Sequence, residues 1–289
     1  MSRDDFSFPS TDGLEIAYYR WRAPARAAGI VQIAHGMGEH ALRYAHLAEF
    51  LNQAGYHVYA SDHRGHGRTA KSAESLGDFG NAGWNGLVAD LVMVTKLART
   101  REGRLPLILL GHSMGSFAAQ QYVLDNSALI AGLVLSGSAA VDKLAIDPSR
   151  EADLTAFNAA FESARTPYDW LSRDPAAVDA YVADKLCGFG INKRAMETMA
   201  AGAKRLVDPA ELSRIRSDIP IYIFAGDKDP INPDLEWLKP LAERYRAAGI
   251  KDVSEKYYLE GRHEMLNETN RDEVMSDLLG WIRRAIKVP

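Results

Sequence analysis

The sequence has one cysteine, no long apolar run and no excess of positive charge, and each scarcity excludes a class of protein. Cys187 cannot form a disulfide within the chain, so the sequence carries no mark of an oxidising compartment. No stretch is long and apolar enough to span a membrane, and residues 1–6 lack the apolar segment of a signal peptide. A net charge of −4 offers no basic field to nucleic acid. We therefore expect a cytoplasmic protein that does not bind nucleic acid.

The 289 residues suffice for one large domain with an insert. A hairpin is predicted around the turn at 11–13, and short apolar runs then alternate with helical patterns. This alternation predicts an α/β fold with a mostly parallel central sheet flanked by helices. It lapses in one long stretch that has helical patterns and prolines but no obvious strand. We therefore predict an α/β core formed by 1–138 and 218–289, and a helical cap, or lid, formed by 139–217.

A G-x-S-x-G motif, centred on Ser113, follows the apolar run 107–110 and precedes a helical pattern. In a sharp turn between strand and helix, a serine is held in a strained conformation that exposes its hydroxyl. A side chain at Gly111 or Gly115 would collide with the neighbouring strand and helix. The start of the helix directs N–H groups towards developing negative charge. The motif thus predicts Ser113 as a nucleophile.

A serine hydroxyl becomes a good nucleophile only when a neighbouring imidazole takes its proton. Of the eight histidines, only His263 follows Ser113, and it lies just past the last predicted strand. The chain order serine, acid, histidine therefore leaves His263 as the base. Asp227 and Asp229 both follow the strand predicted at 219–224, and either could orient the imidazole. Spacing alone does not choose between them.

The loop after an early predicted strand contains Gly36, Met37 and Gly38. Glycines let such a loop curl so that a backbone N–H points inward. We therefore predict that the oxyanion hole is formed by the backbone N–H groups of Met37 and Met114.

These motifs together resemble the α/β-hydrolase superfamily and, within it, the monoacylglycerol lipase and lysophospholipase group. The resemblance covers nearly the whole core. It rests on H-G-M-G-E-H from His35, D-H-R-G-H-G from Asp62, G-H-S-M-G around Ser113, G-D-K-D-P from Gly226 and the loop of His263.

The resemblance implies the roles of several residues. The acid of the family stands three residues after the glycine of its G-x-x-D pattern, which selects Asp229 over Asp227. The family's oxyanion donors fall on Met37 and Met114. One departure is Thr69, where the family more often has serine, in a loop that we interpret as structural.

The predicted cap is rich in aromatic and apolar residues, including Trp170 and Phe189. Some of them must pack the cap onto the core, and a remaining apolar face over the serine would favour an acyl chain. With the resemblance, this predicts hydrolysis of monoacylglycerol, lysophospholipid or similar short-to-medium acyl esters. Glu39 and Arg43 are candidates for contacting the alcohol portion, although they could equally pair with one another. We expect that no metal or organic cofactor is required. We also expect a transient contact between the cap and a membrane surface. The oligomeric state stays open.

Several other polar residues are predicted to have structural rather than catalytic roles. We expect Asp62, Arg64 and His66 to form a hydrogen-bonded loop, since the sequence supplies no cysteine or third histidine at ligand spacing. Cys187 has no histidine nearby in sequence and is interpreted as a small apolar residue of the cap.

Alternative functions fall into four classes. Thioesterase, aminopeptidase or perhydrolase activity would use the same residues, whereas a dehalogenase would need a carboxylate in place of Ser113. A catalytically silent binding protein is disfavoured because serine, acid and histidine are all present. A NAD-binding oxidoreductase would use Gly36, Gly38 and Ala41 as a dinucleotide fingerprint with Asp62 as its acidic partner. In that loop, Glu39 would repel a pyrophosphate.

Overall fold

The computed structural model describes residues 3–144 and 147–287, and its centre is a sheet of eight strands. Residues 1–2, 145–146 and 288–289, which belong to the predicted core and cap, lie outside the described residues. The strands are β1 (Arg3–Pro9), β2 (Glu15–Trp21), β3 (Gly29–Ala34), β4 (Tyr56–Ser61), β5 (Leu107–His112), β6 (Gly132–Ser136), β7 (Ile221–Gly226) and β8 (Val253–Tyr258).

The order of strands in the sheet is β1-β2-β4-β3-β5-β6-β7-β8. β2 pairs antiparallel with β1 and with β4, and every other neighbouring pair is parallel. Every residue of β3, β4, β5, β6 and β7 is buried, as expected for strands covered on both faces. The predictions of an N-terminal hairpin and a mostly parallel sheet are confirmed.

Helices cover both faces of the sheet. The helices are α1 (Ala45–Gln53), α2 (Gly83–Glu102), α3 (Met114–Asn126), α4 (Pro175–Ala183), α5 (Lys193–Ala203), α6 (Pro209–Leu212), α7 (Leu238–Ala247) and α8 (Arg271–Ala285). α2, α3 and α7 contribute to one hydrophobic cluster, and α1 and α8 contribute to the other. In α8 the buried residues include Val274, Leu278, Trp281 and Ile282, a spacing that places them on one side of the helix. No helix within 3–144 or 147–287 combines the length and the apolar character needed to cross a membrane.

The stretch between β6 and β7 contains α4, α5 and α6 joined by short 3₁₀ turns. Asp174 and Asp208 each accept a hydrogen bond from the backbone two residues on, and a proline follows each of them at the first helical position. These caps explain why the helices begin where they do. We call residues 139–217 the cap segment; its action as a separate cap stays a prediction.

The loops after β3, β5, β7 and β8 leave the sheet at the same edge, because parallel strands end together. In register, Ala34 of β3 lies beside Gly111 of β5, and His112 lies beside Ser136 of β6. The sheet thereby gathers the loops that carry the predicted nucleophile, acid, base and oxyanion donors.

Candidate active site

Ser113 occupies a strained turn between β5 and α3. Its φ of 51° and ψ of −123° lie where a residue with a side chain is rarely found, and its N–H donates to the carbonyl oxygen of Ser136 at 2.9 Å. A Cβ on Gly111 would lie 2.5 Å from the carbonyl oxygen of Gly115. A Cβ on Gly115 would lie 2.2 Å from the carbonyl oxygen of Ala34. Both glycines are therefore required for the turn to form, as predicted.

The loops after β7 and β8 bring Asp229 and His263 together. The Nδ1–H of His263 donates to Oδ2 of Asp229 at 2.8 Å, and both side chains are almost completely buried. The second carboxylate oxygen, Oδ1, accepts the N–H of Ile231 at 3.0 Å. Asp227 does not share this position: it is half-buried, and its Oδ1 has no hydrogen-bond partner among the described residues. Of the two aspartates that the residues left open, the structure places Asp229 against the imidazole.

Two aromatic rings enclose the imidazole of His263. The ring of Trp170 lies 5.0 Å away and that of His112 lies 4.7 Å away, centroid to centroid. Burial disfavours the charged imidazolium, but the Asp229 carboxylate outweighs burial and raises the pKa of His263 above its ordinary value. The imidazole is therefore held in one orientation with its Nδ1 occupied.

Ser113 and His263 line one cavity of about 560 Å³. No side chain in the described part of the chain is in hydrogen-bonding geometry with the Ser113 hydroxyl. Met37 and Met114 line the same cavity, and their N–H groups donate no backbone hydrogen bond to another described residue. Met114 is the first residue of α3, so its amide belongs to the open N-terminal turn of that helix.

The four predicted substrate contacts separate into two groups. Glu39 and Trp170 line the cavity, whereas Arg43 and Phe189 are not part of its wall. The ring of Phe189 packs instead on His66, 5.0 Å away. Arg43 is bound to the carboxylates of Glu39 and Glu264, the pairing with Glu39 being the alternative that the sequence left open; contact of Arg43 or Phe189 with a substrate stays a prediction.

A buried charge network lies beside the cavity, and the sequence predicted only the pairing of Glu39 with Arg43 within it. Arg43 makes two hydrogen bonds to the carboxylate of Glu264, at 2.5 and 2.8 Å, and one to Glu39 at 2.7 Å. Tyr44 adds a hydroxyl bond to Glu39 at 2.8 Å. The i,i+4 spacing of Glu39 and Arg43 was the visible signal, but Glu264 lies 221 residues from Arg43.

The network has a large electrostatic effect. Burial opposes ionisation of Glu264, yet the Arg43 guanidinium prevails and lowers the pKa of Glu264 to about 2. Breaking a buried pair by removing one partner typically costs about 3–5 kcal/mol, because the other charge is left uncompensated. Arg43 therefore links the loop that contains Glu39 to Glu264, the residue that follows His263.

Among the residues that the structure describes, two groups of side chains have the composition of metal ligands. In the first, Glu39, His112 and Glu264 bring ligand atoms within 4.8 Å of one another, but Arg43 is already ion-paired with both carboxylates. The second group comprises His40, Asp184 and Cys187. There, Nε2 of His40 is bonded to Asp184 at 2.8 Å, and burial raises the pKa of the Cys187 thiol, which disfavours the thiolate that a cation would need.

The D-H-R-G-H-G segment forms the structural loop that its sequence predicts. Asp62 accepts hydrogen bonds from the hydroxyl of Tyr19 and the N–H of Ala41, at 2.7 and 3.0 Å. Thr69 donates to the carbonyl oxygen of Asp62 and accepts the N–H of Ala17, so threonine serves in this position.

Comparison with known proteins identifies the family. Residues 25–270 match the model of the family described as serine aminopeptidase, S33. A monoacylglycerol lipase from Mycolicibacterium smegmatis is 31% identical over 287 residues, which cover 97% of this chain and 97% of the relative. The chain belongs to the α/β-hydrolase superfamily, in its monoacylglycerol lipase group.

Other members of this group agree in sequence and in fold. Rat monoglyceride lipase is 26% identical over 293 residues, covering 96% of this chain and 90% of the relative. A thermostable carboxyl esterase from Bacillus coagulans, solved in complex with glycerol, superposes with a TM-score of 0.87 at 30% identity, covering 99% of both chains. A monoglyceride lipase from Saccharomyces cerevisiae shares the fold, with a TM-score of 0.77 at 22% identity over 99% of this chain and 95% of that one. This α/β-hydrolase is a serine ester hydrolase; the predictions of family, fold and ester hydrolysis are confirmed.

Proposed function

We propose that the protein hydrolyses acyl esters through a triad of Ser113, His263 and Asp229. The observation that supports this most directly is the buried hydrogen bond between His263 and Asp229, on the wall of the cavity that Ser113 also lines. A histidine held in this way presents Nε2 to a serine hydroxyl in the correct tautomer.

The reaction proceeds in two balanced steps. The Ser113 oxygen attacks the ester carbonyl carbon while Nε2 of His263 takes the hydroxyl proton, and the N–H groups of Met37 and Met114 stabilise the oxyanion. The carbon–oxygen bond to the alcohol then breaks, and His263 returns the proton to the leaving alcohol. Water repeats the sequence on the acyl-enzyme and releases the acid. The serine–imidazole hydrogen bond is expected to tighten when substrate binds, as it does in other enzymes of this kind.

The cavity supports an acyl ester as the substrate. Leu154, Phe157 and Leu171 of the cap segment line it together with Phe117 and Ile231 of the core. Its polar side chains include Glu39, Glu264 and the histidines around Ser113, and the cap segment adds the charged residues Asp147, Arg150, Glu151 and Asp153. An apolar wall with polar groups converging on the serine suits an acyl chain that ends in a small polar alcohol. The similar proteins include lipases named for monoacylglycerol and an esterase solved in complex with glycerol, so we assign monoacylglycerol or a related short-to-medium acyl ester.

The cavity wall is formed jointly by residues of 139–217 and of the core, which supports 139–217 as a cap over the core formed by 1–138 and 218–289. Trp170 packs on His263, and the N–H of Glu264 donates to the carbonyl oxygen of Leu171 at 2.8 Å. The cap segment therefore contributes directly to the shape of the acyl-binding wall.

A chain-length series tests the substrate class. We expect the kcat/KM of nitrophenyl esters to rise from acetate to octanoate, and a monoacylglycerol to be hydrolysed alongside them. Phe157→Ala should lower kcat/KM for octanoate by about tenfold more than for acetate, because it removes apolar cavity wall; a smaller loss common to both esters is also expected, since the Phe157 ring packs on Trp170, 4.9 Å away. Phe161→Ala is the matched control, since Phe161 stacks on Arg262 and is not part of the cavity wall.

Rates that fall steadily beyond acetate, with glycerol esters left intact, would contradict the acyl-ester assignment while leaving the triad untouched. Faster hydrolysis of an amino-acid anilide than of any ester would favour an aminopeptidase instead.

The pH dependence follows from the charge state of His263. The imidazole must be neutral to accept the serine proton, and Asp229 raises its pKa above the ordinary value of about 6.5. The kcat/KM for an uncharged ester should therefore increase with pH through a midpoint above 6.5 and then level off. The measurement is a kcat/KM profile from pH 5 to 9, and a midpoint below 6.5 would contradict the raised pKa.

A further inference from the structure

The oxyanion loop (residues 35–39) is fixed on the core side by hydrogen bonds to its backbone. The N–H of Gly36 donates to the carboxylate of Glu39 at 2.5 Å, and Nδ1 of His35 lies 2.8 Å from the carbonyl oxygen of Gly36. The N–H of Gly38 donates to Nε2 of His66 at 3.2 Å. The peptide groups on both sides of Met37 are therefore held, while its own N–H has no backbone partner among the described residues.

His66 accepts the Gly38 N–H because its tautomer is set. Its Nδ1 donates to the carbonyl oxygen of Arg64 at 2.8 Å, which leaves Nε2 as the acceptor. Burial lowers the pKa of His66 to about 4, so the ring stays neutral near pH 7. The core contact with Gly38 is thus permanent in the working pH range.

The cap segment holds Gly38 from the opposite side. Its carbonyl oxygen accepts two hydrogen bonds, from the hydroxyl of Tyr181 at 2.8 Å and from the N–H of Gly188 at 2.9 Å. Gly38 has a φ of 64°, and a Cβ there would lie 2.4 Å from the carbonyl oxygen of Phe189. The oxyanion loop and the cap segment are therefore in direct backbone contact, with no space for a side chain between them.

Building on the proposed function, we propose that the cap segment completes the oxyanion hole, with Tyr181 as a positioning residue. By holding the Gly38 carbonyl, the Tyr181 hydroxyl prevents the loop from rotating and keeps the Met37 N–H directed at the oxyanion. The cap then contributes to the rate of the chemical step as well as to substrate binding.

Tyr181→Phe isolates this hydroxyl. The ring lies over the Arg43 guanidinium at 4.7 Å and packs on Tyr168 at 5.1 Å, and phenylalanine preserves both contacts. Tyr122→Phe is the matched control, because Tyr122 is equally buried and donates its hydroxyl to Thr95 at 3.0 Å, away from the cavity wall. Tyr181→Phe loses the bond that its hydroxyl donates to Gly38 and the one that it accepts from the N–H of Gly188 at 3.1 Å, whereas Tyr122→Phe loses its single bond to Thr95. The unfolding temperature should therefore fall in both variants, and further in Tyr181→Phe.

We expect Tyr181→Phe to lower kcat by about 10- to 100-fold with KM changed by less than about threefold, since a displaced donor acts mainly in the transition state. The loss should be the same for acetate and octanoate esters, because the oxyanion is common to both. Tyr122→Phe should stay within about twofold of the wild type.

Three results would overturn the inference: kcat of Tyr181→Phe within about twofold of the wild type, an effect on KM alone, or a loss that grows with acyl-chain length. The last two would make Tyr181 a substrate contact. If the wild type reacts with a fluorophosphonate and cleaves esters, and Tyr181→Phe has the kcat of the wild type, this inference fails and the triad stands. If the wild type neither reacts with the probe nor cleaves esters, the proposed function fails and the inference with it.

Discussion

Ser113→Ala should reduce kcat for a nitrophenyl ester by about 10⁵- to 10⁶-fold, the scale seen when a triad nucleophile is removed. The substitution deletes the attacking oxygen but leaves the oxyanion hole and the apolar cavity in place, so a small residual rate above that of water is expected. Steady-state kinetics and labelling by a fluorophosphonate probe measure the effect. Labelling should disappear together with turnover.

Ser127→Ala provides the control for this prediction. Ser127 is also buried, but its hydroxyl accepts the N–H of Arg216 and lies outside the cavity wall. Its activity should match the wild type within about twofold. Near-native turnover by Ser113→Ala, or probe labelling that persists on another residue, would refute the assignment of the nucleophile.

Asp229→Asn should reduce kcat by about 10⁴-fold, because a neutral amide no longer stabilises the imidazolium and can donate to Nδ1 of His263, which favours the wrong tautomer. The side chain keeps its shape, and its oxygen can still accept the N–H of Ile231. The loss should therefore appear in kcat rather than in the circular dichroism spectrum or in folding yield.

Asp227→Asn is the matched comparison, since Asp227 is two residues away in the same loop and is not bonded to His263. We expect its kcat within a few-fold of the wild type. If Asp227→Asn were the more damaging substitution, the acid would be assigned to the wrong aspartate and the geometry around His263 would need another explanation.

Local pattern was sufficient to predict most of the fold. Parallel strands that are buried on both faces need apolar residues at every position, so they are visible in the sequence as continuous apolar runs. The two glycines around Ser113 are visible for another reason: a side chain at either position would collide with the neighbouring backbone. The start of α2 was harder to predict: the helical spacing of apolar residues begins at Leu87, whereas the helix begins at Gly83. The N–H of Trp84 is bound by the hydroxyl of Thr198, a partner from α5 that local sequence does not reveal.

The site was less predictable where contacts join distant parts of the chain. Spacing alone left Asp227 and Asp229 equivalent; the difference is which carboxylate reaches His263. Phe189 and Trp170 are both aromatic residues of the cap segment, but only Trp170 faces the cavity, and composition does not show which way a ring turns. The partners of Arg43 were likewise hidden by their separation from it along the chain.

That separation also has a consequence during synthesis. The guanidinium of Arg43 leaves the ribosome 221 residues before the carboxylate that it binds, a delay of about 10 to 45 seconds at typical bacterial or eukaryotic elongation rates. In the proposed mechanism, Ser113 is likewise translated before its base, so the nascent polypeptide carries an unactivated hydroxyl from the synthesis of Ser113 until that of His263. On that mechanism, a growing chain acquires esterase activity only after the His263 loop has emerged and docked.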